Sequence, residues 1–238
     1  MLILWVYIMI NLVLSSSQQA NNSCASGDTK QTRTQLITKA IYDFLKSDPN
    51  LNVYNIPKLN LGSDTENLIK AVRLSNSFIN ENGGTGYHLS VHTDAGYPGS
   101  GASGFYFSES GAAFGKPIFD EISSLTPWRD MEFKRNQSLY ELKNTRAIAF
   151  LLEVSFHDKN EQSEWIHQNI SNIATSIIKG IYKGLGIQPD PVLDVVDKMK
   201  HHGYLKDSNY WITHFKNNEP IDPVFCFNVF KNVTNNNK

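Results

Sequence analysis

Cysteine is nearly absent. Cys24 and Cys226 are the only two in 238 residues, too few for a zinc-finger framework or a disulfide-stapled scaffold, so a hydrophobic core must hold the fold together. The pair is compatible with one bridge joining the two ends of the chain or with two unrelated thiols. An excess of either charge is missing too: 22 basic residues face 23 acidic ones. With no long run of like charge, nothing recruits nucleic acid or an anionic membrane surface. No apolar run reaches the roughly 20 residues of a membrane span. Serine-elbow and catalytic-cysteine signatures are absent as well. Gly99-Ser-Gly-Ala-Ser-Gly104 formally matches a dinucleotide fingerprint, but it leads into Phe105-Tyr-Phe rather than opening a helix, which discounts it.

A chain of this length that is 40% hydrophobic and 19% charged can bury one good-sized core plus a small appendage. Met1 to Leu14 carries no charge and is followed by Ser15-Ser-Ser-Gln-Gln-Ala20. This segment reads either as the apolar region of a secretory signal or as a buried first strand, Ile8 to Leu14. The first reading makes the protein secreted or extracellular, with no stable membrane association after processing; the second leaves it cytoplasmic. Acceptor triplets at Asn21, Asn136, Asn169 and Asn232 would permit N-glycosylation on a eukaryotic secretory route.

Hydrophobic periodicity predicts a helix from Thr34 to Lys46, with Leu36, Ile37, Ile41 and Phe44 on one face, ended by Asp48-Pro-Asn50. A strand from Asn52 to Ile56 and a helix from Thr65 to Ile79 follow. After Asn82-Gly-Gly-Thr-Gly86 come a strand from His88 to His92, a short strand Phe105–Ser108 and a helix around Phe114 to Ser123. Ala147 to Phe156 is a central strand, and Glu164 to Gly184 a single long helix stopped by Gly184 and Gly186. Alternating strands and helices give an α/β class, with a mixed, mostly parallel sheet flanked by helices on both faces. Gln188-Pro-Asp-Pro191 reads as a linker. Three segments result: the hydrophobic N-terminus 1–20, a main domain 21–187, and a small helical C-terminal unit 188–238 with Trp211, Phe215 and Phe225 for a core.

Two stretches carry the chemistry: Leu89-Ser-Val-His92-Thr-Asp-Ala-Gly96 and Phe150-Leu-Leu-Glu153-Val-Ser-Phe-His157-Asp158. Each is an apolar run ending in a group that can bind a metal or move a proton, as buried strands deliver side chains to the edge of a sheet. A glutamate inside so apolar a run is rarely buried unless paired or functional. Together with Gly104-Phe-Tyr-Phe-Ser108, Ser138-Leu-Tyr-Glu-Leu142 and Trp165-Ile166, these pieces stand in an order that resembles the zinc-dependent N-acetylmuramoyl-L-alanine amidases, from about Leu14 to Gly186.

That resemblance implies hydrolysis of the amide between N-acetylmuramic acid and L-alanine in peptidoglycan. It also implies one zinc held by two histidines and a glutamate, with a further glutamate as general base and then acid. His92 matches a histidine ligand and Glu153 the catalytic glutamate. Where the family's first loop carries a histidine this chain has Gln18, and the glutamate of the first helix corresponds to Gln31, with Gln35 second. The implied metal set is therefore His92, Gln18 and Gln31, and amides are feeble zinc ligands. His88 and His157 each lie about 13 Å along a strand from His92 and Glu153 respectively, while Asp28, Asp94 and Asp158 are loop carboxylates standing behind the ligands. Tyr87, Tyr97, Phe105, Tyr106 and Tyr140 are candidates for a sugar groove, with Gly96–Gly104 as a rim. The other functions left open are a peptidoglycan-binding pseudoenzyme and a secreted interaction protein that uses the fold alone.

Overall fold

Three of the apolar runs form the middle of one sheet. In a computed structural model, which describes residues 9–96, 99–129, 132–188 and eight positions beyond, the strands and helices of the main unit alternate except at β3–β4 and α5–α6. The order is β1 (Ile10–Ser16), α1 (Lys30–Leu45), β2 (Leu51–Asn55), α2 (Asp64–Asn82), β3 (Gly86–Asp94), β4 (Ser103–Tyr106), α3 (Glu109–Leu125), β5 (Glu132–Arg135), α4 (Tyr140–Asn144), β6 (Ile148–Phe156), α5 (Asn160–Gln168) and α6 (Ile170–Leu185). Six strands lie in the order β2-β1-β3-β6-β4-β5. All neighbours are parallel except β4 and β6. The sheet is thus mixed and mostly parallel, and β1 is an inner strand.

Side-chain alternation divides the sheet into two faces. One carries Leu12, Leu14, Leu89, Val91, Phe150, Leu152 and Val154, all fully buried. Helices α1, α3 and α6 lie along this side, with α3 and α6 packed on each other. Their approach is close: a Cβ at Gly180 would stand 2.4 Å from the Ile118 Cα. The opposite face carries Val13, which packs with Ile56, Ala71 and Ile79 under α2, and Ala149 and Leu151, which pack with Leu142 of α4.

Local signals set the helix ends. Thr29 caps α1 by accepting from the Thr32 N–H, so the helix starts four residues before the expected Thr34. Ser63 caps α2 in the same way through the Glu66 N–H, at a Ser-x-x-Glu box. Leu36, expected on the inner face of α1, is 43% exposed. The single long helix expected from Glu164 is two helices, α5 and α6, that meet at Asn169, whose backbone leaves the helical region.

The segment Ile10–Ser16 is a strand flanked on both sides, and Cys24 is buried, bridged to no cysteine among the described residues, with burial pushing its thiol up to about 11. Cys226, with which a bridge was one of two readings, lies outside the described residues, as do Phe215 and Phe225. Gln188–Lys238 forms a second unit; of its described residues, Val196, Leu205 and Trp211 are buried, and Tyr204 N–H donates to the Met199 carbonyl at 2.9 Å. No helix among the described residues is long and apolar enough to cross a membrane.

Candidate active site

The face under α2 and α4 changes character along the strands. Val13, His88 and Ala149 are level with one another, Ser15, Ser90 and Leu151 come next, and His92 and Glu153 stand beyond them toward the strand ends. A parallel register makes this possible: His92 and Glu153 are direct partners on the neighbouring strands β3 and β6. His92 Nδ1 lies 3.8 Å from Glu153 Oε1, and both side chains line one cavity of about 300 Å³, with Leu68, Leu139 and Tyr140 as an apolar wall.

Glu141 completes the arrangement. Its quartet Leu139-Tyr-Glu-Leu142 belonged to the recognised motif series, but no role attached to this residue. The structure turns it inward from α4, 3% exposed, with one oxygen 3.0 Å from His92 Nε2. The other oxygen accepts from the Ser15 hydroxyl at 2.8 Å and lies 3.6 Å from His88 Nε2. His88 is itself fastened between the hydroxyls of Ser75 and Ser90, each 2.9 Å from a ring nitrogen. Burial opposes the ionised form of Glu141, but the hydrogen bonds and charge of His88 and His92 outweigh it and hold the carboxyl well below the usual range. The strand spacing that separates His88 from His92 is bridged by the two oxygens of this one carboxylate. A carboxylate in an apolar quartet was the available signal, as it was for Glu153.

Glu153 is displaced in the opposite direction. Burial pushes its carboxyl up, Lys30 and His92 pull it back, and the nearby charges of Asp94 and Glu141 add to the rise. Its Oε2 is buried with no hydrogen-bond partner. The nearest cation is Lys30, the first residue of α1, whose Nζ is 4.0 Å away and whose side chain is 7% exposed. Nothing in the sequence marks Lys30, since a lysine at a helix start ordinarily reads as solvated.

The two glutamines are brought together. Gln31 Nε2 donates to Gln18 Oε1 at 3.2 Å and to the Leu59 carbonyl at 2.7 Å. Gln18 Oε1 also accepts from the Leu59 N–H at 3.1 Å, so both lone pairs of that oxygen are used. Gln18 lines the cavity with His92 and Glu153, whereas Gln35 is turned to the Ser16 hydroxyl at 2.7 Å. This donor set does not suit zinc: Gln18 has no free oxygen lone pair, His92 Nε2 is engaged by Glu141, and an ammonium stands at the same carboxylate. Among the described residues no three His, Cys, Asp or Glu side chains are grouped to hold a metal.

The remaining candidates lie elsewhere. Asp28 pairs with Arg33, Asp94 accepts from the Ala95 N–H, and Asp158 from the Gly96 N–H. His157 Nδ1 is 3.0 Å from the Thr93 carbonyl. Of the expected sugar-groove aromatics only Tyr140 lines the cavity. Tyr87 packs on Phe114 and Tyr106 on Phe133, Phe105 joins the core cluster of Leu142, and Tyr97 is outside the described residues. The expected glycine rim is absent from the cavity wall; Gly99 lies against the Phe156 ring instead.

Comparison with known proteins agrees with this fold. The catalytic domain of CwlV, an N-acetylmuramoyl-L-alanine amidase from Bacillus (Paenibacillus) polymyxa var. colistinus, is similar over 76% of this chain and 100% of its own. The identity is 18% and the TM-score 0.64. An N-acetylmuramoyl-L-alanine amidase from Clostridium difficile 630 is similar over 76% of this chain and 100% of its own, at 17% identity and TM-score 0.63. For AmiC2 of Nostoc punctiforme the values are 75%, 97%, 14% and 0.61. No curated protein matches the chain. A family model described as N-acetylmuramoyl-L-alanine amidase, Amidase_3, matches residues 10–183, the whole span from β1 to the last turns of α6. The chain belongs to the N-acetylmuramoyl-L-alanine amidase family.

Proposed function

We propose that the cavity hydrolyses the amide joining the lactyl group of N-acetylmuramic acid to L-alanine in peptidoglycan, with Glu153 as proton carrier. The observation that carries this reading is the state of Glu153: a mostly buried side chain that lines the cavity, its carboxyl raised by burial and its Oε2 without a hydrogen-bond partner. A carboxylate made more basic in this way is suited to take a proton from water. Hydroxide then adds to the amide carbon, Glu153 passes its proton to the nitrogen, and the carbon–nitrogen bond breaks to leave a lactyl carboxylate and a free alanine amine. His92, fixed through Nε2 by Glu141, presents its other nitrogen toward Glu153 and fixes the position of that carboxyl. Leu68, Leu139 and Tyr140 give the apolar wall against which a sugar or lactyl methyl can lie. None of these steps is routed through zinc, for which the donors described above are poorly suited.

The test is release of new alanine amino groups from insoluble peptidoglycan by the full-length protein. Release by the wild type, and a loss of about 100-fold or more in Glu153→Gln, is the expected result. Binding to peptidoglycan with no release would instead identify a binding protein.

A further inference from the structure

Three carboxylates, Asp64, Glu141 and Glu153, line one cavity, and among its described lining residues Lys30 is the one lysine or arginine. Its position is costly by ordinary rules. Lys30 is the first residue of α1, whose first turn has no acidic side chain, so an ammonium sits at the positive end of the helix dipole, where an anion would be favoured. The fold draws no capping benefit from it, since Thr29 already caps the helix. Nor is it free to escape to water, being 6% exposed overall. A buried cation at 4.0 Å from a carboxylate adds little net stability once desolvation is counted. What the arrangement does create is a positive charge at the start of α1, carried by a side chain that lines the cavity beside Glu153.

We propose that Lys30 is the resident cation of this site, and that its ammonium, in place of a divalent metal, faces the carbonyl oxygen of the scissile amide. This rests on the hydrolase reading. The 4.0 Å between Nζ and Oε2 keeps the ammonium beside the carboxyl without a direct hydrogen bond, and both side chains line the cavity, so Glu153 can hold water next to the carbonyl that the ammonium polarises. As Glu153 accepts the water proton and hydroxide adds to the carbon, the carbonyl π pair moves onto oxygen. The Lys30 N–H groups hydrogen-bond that oxyanion without giving up a proton. The pair returns to re-form the C=O bond as the C–N bond breaks and Glu153 delivers its proton to nitrogen. Lys30 finishes as it began.

The experiment uses the full-length chain in two arms. In the first, wild-type protein is equilibrated with zinc chloride, desalted and assayed for metal by plasma emission; fewer than about 0.1 zinc per chain is expected for a donor set of this kind. One zinc retained per chain overturns the proposal. In the second arm, alanine amine release is followed with and without EDTA for the wild type and for Lys30→Met, with circular dichroism to verify folding. An EDTA-insensitive wild type and a fall in kcat of roughly 100-fold or more in Lys30→Met, the usual cost of losing one oxyanion donor, support it. A Lys30→Met rate equal to wild type, or EDTA inhibition reversed by zinc, overturns it. A wild type that releases nothing overturns the hydrolase reading, while the zinc arm still decides, without any variant, whether a metal or Lys30 is the resident cation.

Discussion

Replacing Glu141 by glutamine keeps the shape of the side chain and removes its charge, which isolates what that charge does. In the wild type the carboxylate makes two contacts at hydrogen-bond distance, 2.8 Å to the Ser15 hydroxyl and 3.0 Å to His92 Nε2. Hydrogen bonds to a charged group contribute about 1.5–3 kcal/mol each, against about 1 kcal/mol for neutral ones. Glu141→Gln should therefore cost about 2 kcal/mol at neutral pH, or about 4–8 °C in Tm for a chain of this size. The loss must also depend on pH, with a definite sign. The folded carboxyl titrates below its ordinary value of 4.5, so its stabilisation is complete above that value and is lost as pH falls toward the folded one. Glutamine does not titrate. The gap between wild type and Glu141→Gln, measured by urea unfolding followed by circular dichroism at pH 7, 5, 4 and 3.5, should stay near its full size down to about pH 5 and close below it. A gap that stays constant to pH 3.5, or a variant as stable as wild type at pH 7, would refute the charge argument.

Glu153→Gln should behave in the opposite way. Its folded carboxyl is raised, so the wild type is progressively penalised as pH rises through that value; the variant should be more stable by about 1–2 kcal/mol near pH 8, with the difference vanishing at acid pH, while hydrolysis is lost. Deletion of residues 1–20 removes β1 with Leu12, Val13 and Leu14, each 0% exposed. At about 1.5–3 kcal/mol per buried side chain the loss is comparable to a whole domain's stability, and thermal scans of the truncated chain should show no cooperative transition. Gly180→Val places a Cβ 2.4 Å from the Ile118 Cα and should cost about 1–3 kcal/mol in urea unfolding. That site is on the sheet face away from the cavity, so the rate per folded molecule should not change.

The strands were legible because their apolar runs are long and their polar termini abrupt. Leu89 to His92 and Phe150 to Glu153 therefore located both halves of the site and, once paired in parallel register, its geometry. Helix positions were legible and their ends were not: Thr29 and Ser63 start helices through side-chain caps that periodicity does not register. The break at Asn169 hides inside a series of isoleucines, Ile166, Ile170, Ile173 and Ile177, that keeps a helical period across it. Glu141 was missed because its burial comes from a tertiary contact with Ser15, 126 residues earlier. Lys30 was missed because its burial depends on where the start of α1 is laid against β6, which no local pattern contains. The aromatics failed as a groove for a related reason: alternate positions on β3 and β4 face the core or the sheet surface, and only Tyr140, from α4, reaches the cavity.

β1 ties these features to a single segment. Ser15 holds Glu141, the Ser17 N–H donates to the Val91 carbonyl at 3.1 Å beside His92, and Gln18 lines the cavity while accepting from Gln31. A cut after Ala20 would remove all three residues along with a strand that both β2 and β3 pair with. The unpaired edges would expose backbone groups that have no other partners, and the carboxylate that orients His92 would lose its serine. Secretion by cleavage at that point and a working cavity are thus physically exclusive in this chain, and the site's electrostatics, not only its fold, depend on the first strand being kept.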